Sequence, residues 1–517
     1  MNATFTQRLW RGLASSAFAQ IVGALNAILL VPLFLRAWGA IGYGRWLLLT
    51  AMISYLSLLD LGGQSYIGNL LAVEYVKQDE AQFRRILSAG VSFFTFISLG
   101  VCLIIVFLMT LPKLPFLGFD RPMSLDERLV ITFMSTSLLI SMPAGVYATA
   151  YRSTGLYARG TFIGNTMRMF CLGISAGLLW VEVSPGIYAA GVLGQSFLTA
   201  VPVIWDLQHQ IPGCRRIAIS FTYAKEGVAH LSGSLYFWLI ALAGAISQQG
   251  VLLVLTAISP VAVALFATHR TVAGLLRYIS TLLQGPLWPE FSFLWAGKRY
   301  MDMERLVVTS TGLAMLGSGV AAITVYIFFP YIYPIWTGKE LVVHMPLLTV
   351  LLLQGVLAAG WSTVSWSLMA SNQHRQLAIL TLVNSVVMIF GAALLVHRWE
   401  ALGVGIAGLL SDIACSLLII PILASKYLQI SAPRVFRTIL FSLFGLMPFV
   451  VIAVLLSIYL KSWLALPAFG LCALLLTYPT EMLILGRHET KRFLNEICPS
   501  VSKYLPDIGP SKVSIRK

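Results

Sequence analysis

Leu99-Gly100-Val101-Cys102-Leu103-Ile104-Ile105-Val106-Phe107-Leu108-Met109-Thr110-Leu111 is the stretch that decides the fold. With its flanks the apolar run covers 88–111, and at about 1.5 Å per residue a helix of that length crosses the roughly 30 Å of bilayer hydrocarbon. Inside lipid every backbone amide needs an internal partner, so a crossing is a helix or part of a closed barrel. The run lacks the strict alternation of a barrel strand and reads as a helix. A second such run surrounds 449–460. The same reading along the chain places spans near 13–35, 44–70, 88–111, 127–150, 161–181, 186–205, 231–256, 260–287, 305–330, 344–370, 377–396, 402–424, 437–460 and 463–486.

Composition agrees. Of 517 residues 58% are hydrophobic and only 11% charged, with a mean hydropathy of +0.84. So few charges could not coat the several soluble domains that this length would otherwise form. The expected fold is an all-α integral membrane protein of about fourteen transmembrane helices. The stretch 13–35 is too long for the apolar part of a signal peptide and reads as the first span. The six cysteines show no metal-ligand spacing and read as small core residues, so no metal or cofactor is expected.

The net charge of +15 is spread over short loops, which argues for membrane topology and against a nucleic-acid face. With the first end inside, twenty-four Lys and Arg fall on the inner side, eight on the outer side and three within spans. Positive-inside topology predicts that bias, with both termini cytoplasmic. The longest outward connection, near 112–126, is too short for a catalytic domain, and no phosphate-binding Gly-Lys-Ser/Thr loop is present.

The chain also repeats itself at an offset of about 218 residues. Gly186-Ile187-Tyr188-Ala189-Ala190-Gly191-Val192-Leu193-Gly194-Gln195 aligns with Gly403-Val404-Gly405-Ile406-Ala407-Gly408-Leu409-Leu410-Ser411-Asp412. Ile163-Gly164-Asn165-Thr166 aligns with Leu382-Val383-Asn384-Ser385, and Phe83-Arg84-Arg85 with Met303-Glu304-Arg305. The organisation expected is an N-terminal lobe (1–212, six helices), a C-terminal lobe (213–430, six helices), two extra helices (431–486) and a basic cytoplasmic tail (487–517). Six is even, so the lobes form a parallel repeat around a central cleft, the layout of a transporter.

Charges inside such spans are costly and need a reason. Arg270 falls about 15 Å into the eighth span, near the midplane, and Arg277 lies two turns further on the same face. Arg168 lies about 10 Å in from the inner end of the fifth span. Guanidinium groups match phosphate in a bidentate fork, so these three define a cationic cleft for an anionic headgroup. Arg277 and Arg168 have a second reading, contact with lipid phosphates at the inner surface. Asp60, in Leu58-Leu59-Asp60-Leu61-Gly62-Gly63, either serves coupling or an arginine partner, or caps a break at the glycines. Asp412 sits mid-span, and Gln20, Asn26, Gln64, Gln248 and Gln249 add polar surface, with interhelical hydrogen bonding as the plainer role.

These features resemble a known family. The run from Leu58 to Gly62 precedes a loop with Tyr75, Asp79, Phe83, Arg84 and Arg85, and Ala267-Thr268-His269-Arg270-Thr271 leads to Pro289-Glu290. Both are similar to the polysaccharide biosynthesis flippases, the Wzx-type O-antigen and exopolysaccharide translocases of the multidrug/oligosaccharidyl-lipid/polysaccharide exporter superfamily. The resemblance implies an undecaprenyl-diphosphate-linked oligosaccharide as substrate, a bacterial inner-membrane location and a polysaccharide polymerase complex as a partner. It also puts Arg270 where a related lipid II flippase has a functional arginine. That relative has further arginines on its first two helices, where this chain carries Gln20, Asn26 and Asp60. The rival within the superfamily is a cation- or proton-coupled drug antiporter, which would rely on Asp60 and Asp412. A membrane-bound polymerase or glycosyltransferase would need a long acidic outer loop, which the sequence lacks.

Overall fold

The structure is a computed structural model that describes residues 5–111, 122–229, 235–371 and 374–459. It is helical nearly throughout, with no strand among the described residues. The helices are α1 (Phe5–Ser54), α2 (Gly63–Lys77), α3 (Glu80–Thr110), α4 (Leu125–Ser153), α5 (Tyr157–Trp180), α6 (Pro185–Gln210), α7 (Phe221–Ala229) and α8 (Leu235–Ala245). They continue as α9 (Val251–Leu255), α10 (Pro260–Ala296), α11 (Tyr300–Trp336), α12 (Met345–Ala370), α13 (His374–Ser411), α14 (Ile419–Leu428), α15 (Ala432–Gly445) and α16 (Met447–Tyr459). Among the described residues ten helical runs are long and apolar enough to cross a membrane, which makes this a multi-pass membrane protein.

Two of those runs double back. In an unbroken helix Phe34 and Trp46 would stand about 18 Å apart, yet their rings are 5.8 Å apart. The reversal is at Gly39 (φ 64, ψ 177), a backbone state that a residue without Cβ adopts freely. Likewise Asn384 donates to Asp412 over 2.8 Å, although 28 residues of straight helix would separate them by about 42 Å. The turn there is at Glu400 (φ 48). With these two reversals, most described residues of the first thirteen expected spans lie on helix; residues 231–234, 460 and the whole of 463–486 lie outside the described residues.

The second span is broken. Tyr55–Asp60 is a tight 3-10 turn, and Leu61 and Gly62 are both left-handed before α2 begins. Side chains brace the break: the Leu58 carbonyl accepts from Trp238 Nε1 (3.0 Å) as well as from the Leu61 amide (3.1 Å), and the Gln64 amide donates to Asp60 Oδ1 (3.4 Å).

Contacts sort the helices into two groups. Helices α2 to α6 pack on one another, and α11 to α15 pack on one another. The first limb of α1 joins α5 and also α10, so α1 and α10 form the main seam between the groups. The turns sort into two ends. At one, Arg36 meets Glu182 (3.4 Å) and Trp38 Nε1 donates to the Val183 carbonyl (2.9 Å). At the same end, a Cβ on Gly44 would fall on the Pro260 carbonyl, so the two backbones touch there. The other end carries the basic turns. There the buried Asp206 accepts from Arg159 (2.6 Å at the closest) and from the Tyr151 hydroxyl (2.7 Å), tying α4, α5 and α6. Replacing Asp206 with alanine leaves that hydroxyl unpaired and is expected to cost about 1–3 kcal/mol. Thermal unfolding of the detergent-purified chain measures this; an unshifted melting temperature would show the clamp to be idle.

The connection between the groups differs from the boundary expected at 212. Gly213 packs on Phe83, and the extended segment that follows runs along α3: the Ala218 amide donates to Ser88 Oγ (3.4 Å), Ser92 Oγ donates to the Ala218 carbonyl (3.2 Å) and the Ser220 amide donates to Ser92 Oγ (3.2 Å). At Phe221, whose ring meets Phe96 edge-on at 6.0 Å, the chain turns, and α7 climbs back until Glu226 reaches Arg85 (3.0 Å). From Phe83 to Phe96 this hairpin follows about 20 Å of α3. The two serines give this non-helical backbone hydrogen-bond partners beside α3. Residues 213–229 therefore pack on the first group, against α3, rather than with the helices that follow them.

Candidate functional site

Arg270 sits on α10 at the seam. Its Nη1 donates to the Gln248 carbonyl over 2.6 Å, and its guanidinium lies 5.6 Å from the Phe266 ring one turn earlier. Gln248 belongs to a π-turn, Ile246–Gly250, between α8 and α9. A π-turn shifts carbonyls out of the regular ladder, which explains why this one takes a side-chain donor. Among the described residues no carboxylate pairs with Arg270, and the buried Tyr43 lies within electrostatic reach of it. The charge is half-buried and lacks a counterion among those residues.

Neighbouring contacts fix its level along the bundle. His269, next along, accepts from the His344 amide at Nε2 (3.2 Å), and His344 caps the first turn of α12 through the Leu347 amide (3.2 Å). Arg270 is therefore level with the start of α12, towards the Gly39 end.

Arg277 is exposed, and its neighbour Tyr278 points its hydroxyl at Gly23 of α1, 3.2 Å from where a Cβ would be. Gly23 also lines a cavity of about 210 Å³ that holds Asn26 and Arg168 together with Ser175 and Gln195. Gln195 Nε2 donates to Ser175 Oγ there (3.0 Å). The structure thus brings Arg168 and Asn26 together, apart from Arg270. Gln20 is half-buried one turn before Gly23, and the Gln248 side chain is exposed while that of Gln249 is half-buried.

The two acids differ in setting. Asp60 takes the capping position described above. Asp412 opens a second π-turn, Asp412–Leu417, and accepts from Gln354 Nε2 and Asn384 Nδ2, both at 2.8 Å. Asn384 also donates to Ser416 Oγ (3.2 Å), while its buried Oδ1 has no partner in the structure. Gln354, Ser416, Ser175 and Gln195 were missed as site residues. Asn384 and Gln195 did stand in the repeat alignment, against Asn165 and Asp412. Among the described residues no group of acids, histidines and cysteines has metal-site geometry.

The fold is similar to that of solved lipid and drug transporters. The chain superposes on the lipid II flippase MurJ in an inward closed conformation with a TM-score of 0.66 and 12% identity, covering 93% of this chain and 98% of that one. An inward-facing MATE multidrug resistance transporter of the superfamily gives 0.55 and 14%, covering 80% and 95%. The MATE multidrug transporter DinF-BH gives 0.54 and 14%, covering 81% and 95%. No family model matches the chain, and no curated protein matches it by sequence.

Proposed function

We propose that this protein is a flippase that moves an undecaprenyl-diphosphate-linked oligosaccharide from the cytoplasmic to the outer leaflet of a bacterial inner membrane, for O-antigen or exopolysaccharide synthesis. The observation that carries this reading is Arg270, an intramembrane guanidinium at the seam between the helix groups, held by a carbonyl and facing no described carboxylate. Such a cation suits an anionic headgroup. A drug antiporter would instead centre on an available carboxylate, and Asp60 and Asp412 are both engaged by amide donors.

The basic end is then cytoplasmic, with the chain's termini on that side, and the Gly39 end faces outward. The two lobes rock about the seam between α1 and α10. The sugar head shelters between them, Arg270 with Arg277 and Arg168 attracts the diphosphate, and the prenyl tail stays in lipid. The lobes replace the water that the head loses on leaving the surface. An inside-negative potential favours the outward movement of two charges by roughly 4–5 kcal/mol at 100 mV, about 2.3 per charge. A polysaccharide polymerase would consume the product on the outer face.

A deletion strain is expected to accumulate lipid-linked oligosaccharide on the cytoplasmic face. Normal surface glycan with new drug sensitivity would favour the antiporter instead. Asp412→Asn, which keeps the shape of the side chain, separates the two further: glycan export is expected to continue, whereas an antiporter that titrates Asp412 would lose its resistance phenotype.

A further inference from the structure

The hairpin 213–229 and α3 enclose a groove that the transport reading does not use. It is about 280 Å³ in volume, and Phe93, Phe96, Ile97, Phe221, Val228 and Lys225 line it. Phe221 and Val228 are well exposed, and Lys225 Nζ lies over the Phe221 ring at 5.1 Å, its stem along the aromatic wall. The neighbouring acid, Glu226, is occupied: both of its oxygens accept from Arg85 at 3.0 Å. Among the described residues no carboxylate pairs with Lys225, the charged residue of the lining, so this apolar slot carries a cation at its edge.

We propose that this groove binds an anionic phospholipid, with an acyl chain along the phenylalanines and the headgroup phosphate on Lys225. The slot admits a hydrocarbon chain but not a helix, which is about 10 Å across. The chain's own segment 487–517, rich in Lys and Arg, has the wrong charge for the rim. The transported lipid is an unsuitable occupant because α3 packs mainly on α2, α4, α7 and the turn Pro212–Cys214, whereas the seam is formed by α1 and α10. The bound lipid would seat the hairpin that joins the two lobes.

The test uses the full chain, purified in detergent and exposed to equimolar phosphatidylglycerol and phosphatidylcholine, with bound lipid read by native mass spectrometry. Phosphatidylglycerol is expected to be retained in preference. Lys225→Gln is expected to reduce its retention about fivefold, equivalent to the ~1 kcal/mol of one lysine at an anionic surface. Lys298→Gln, a cation of the same end away from the groove, is expected to leave it unchanged. Ala224→Phe, which fills the slot, is expected to reduce retention of both lipids. Equal retention of the two lipids, or retention unaffected by Lys225→Gln, would overturn the proposal. Displacement of phosphatidylglycerol by polyprenyl phosphate at equal concentration would also overturn it, by assigning the groove to the substrate. None of these readouts depends on transport.

Discussion

Replacing Arg270 with alanine is expected to abolish glycan export while the protein remains in the membrane at its normal level. The substitution removes the charge at the seam and also the donor to the Gln248 carbonyl. The second loss leaves one backbone acceptor in a π-turn unpaired, a cost of about 1–3 kcal/mol that a bundle of this size tolerates. The first removes the guanidinium at the seam, and the other two arginines do not replace it there: Arg277 is seven residues further along α10, and Arg168 lines a separate cavity. Arg270→Lys separates the two effects, because lysine keeps the charge but not the planar fork. Partial export is expected from that variant. Surface polysaccharide is the readout, with membrane abundance measured alongside; normal polysaccharide in the alanine variant would remove Arg270 from the site.

Gly44→Val is expected to be nearly as damaging, for a different reason. At this position the second limb of α1 meets the first turn of α10 backbone to backbone, with no space for a Cβ against the Pro260 carbonyl. A flexible side chain could yield to the intruding atoms, whereas a carbonyl at a helix start cannot move alone. Overpacking of this kind costs about 1–3 kcal/mol where the structure can shift, and here the shift available is separation of the two helix groups at the Gly39 end. In the proposed cycle that end is closed when the basic end receives substrate, so a transporter held apart there stops turning over. Ala40→Cys reports the separation directly, since Ala40 is buried beside the turn. A membrane-impermeant thiol reagent added outside is expected to spare this cysteine in the parent and to label it when Gly44→Val is also present. Equal labelling in both would mean that the Gly44 contact does not hold this end shut.

Much of this architecture is legible in the residues because lipid contact imposes long apolar runs. The reversals at Gly39 and Glu400 fall between spans that hydropathy alone separates, even though helix continues almost unbroken through both. What hydropathy conceals is everything that depends on backbone state at constant apolarity. The break at 55–62 lies in Tyr-Leu-Ser-Leu-Leu-Asp-Leu-Gly, as apolar as an intact helix; Asp60 and the glycines offered it as one of two readings, and the left-handed Leu61 and Gly62 place it. The level of Arg270 beside the start of α12 depends on the His269–His344 contact, which apolar length does not display.

The cluster around Asp412 draws on α12, α13 and the second π-turn, a convergence that no single stretch displays. The hairpin on α3 was assigned by count to the wrong neighbours. Its anchors, Ser88 and Ser92, look in sequence like any small residues of a membrane helix.

The account stands on the transfer of a phosphorylated lipid head between leaflets, and reconstitution tests it most directly. Proteoliposomes loaded with fluorescent undecaprenyl-diphosphate oligosaccharide and sampled by an impermeant quencher should show the inner-leaflet pool becoming accessible when the parent chain is present. With Arg270→Ala, accessibility should match that of empty vesicles. A parent chain that leaves the inner pool as protected as protein-free vesicles do, with a membrane potential of either sign applied, would contradict the account.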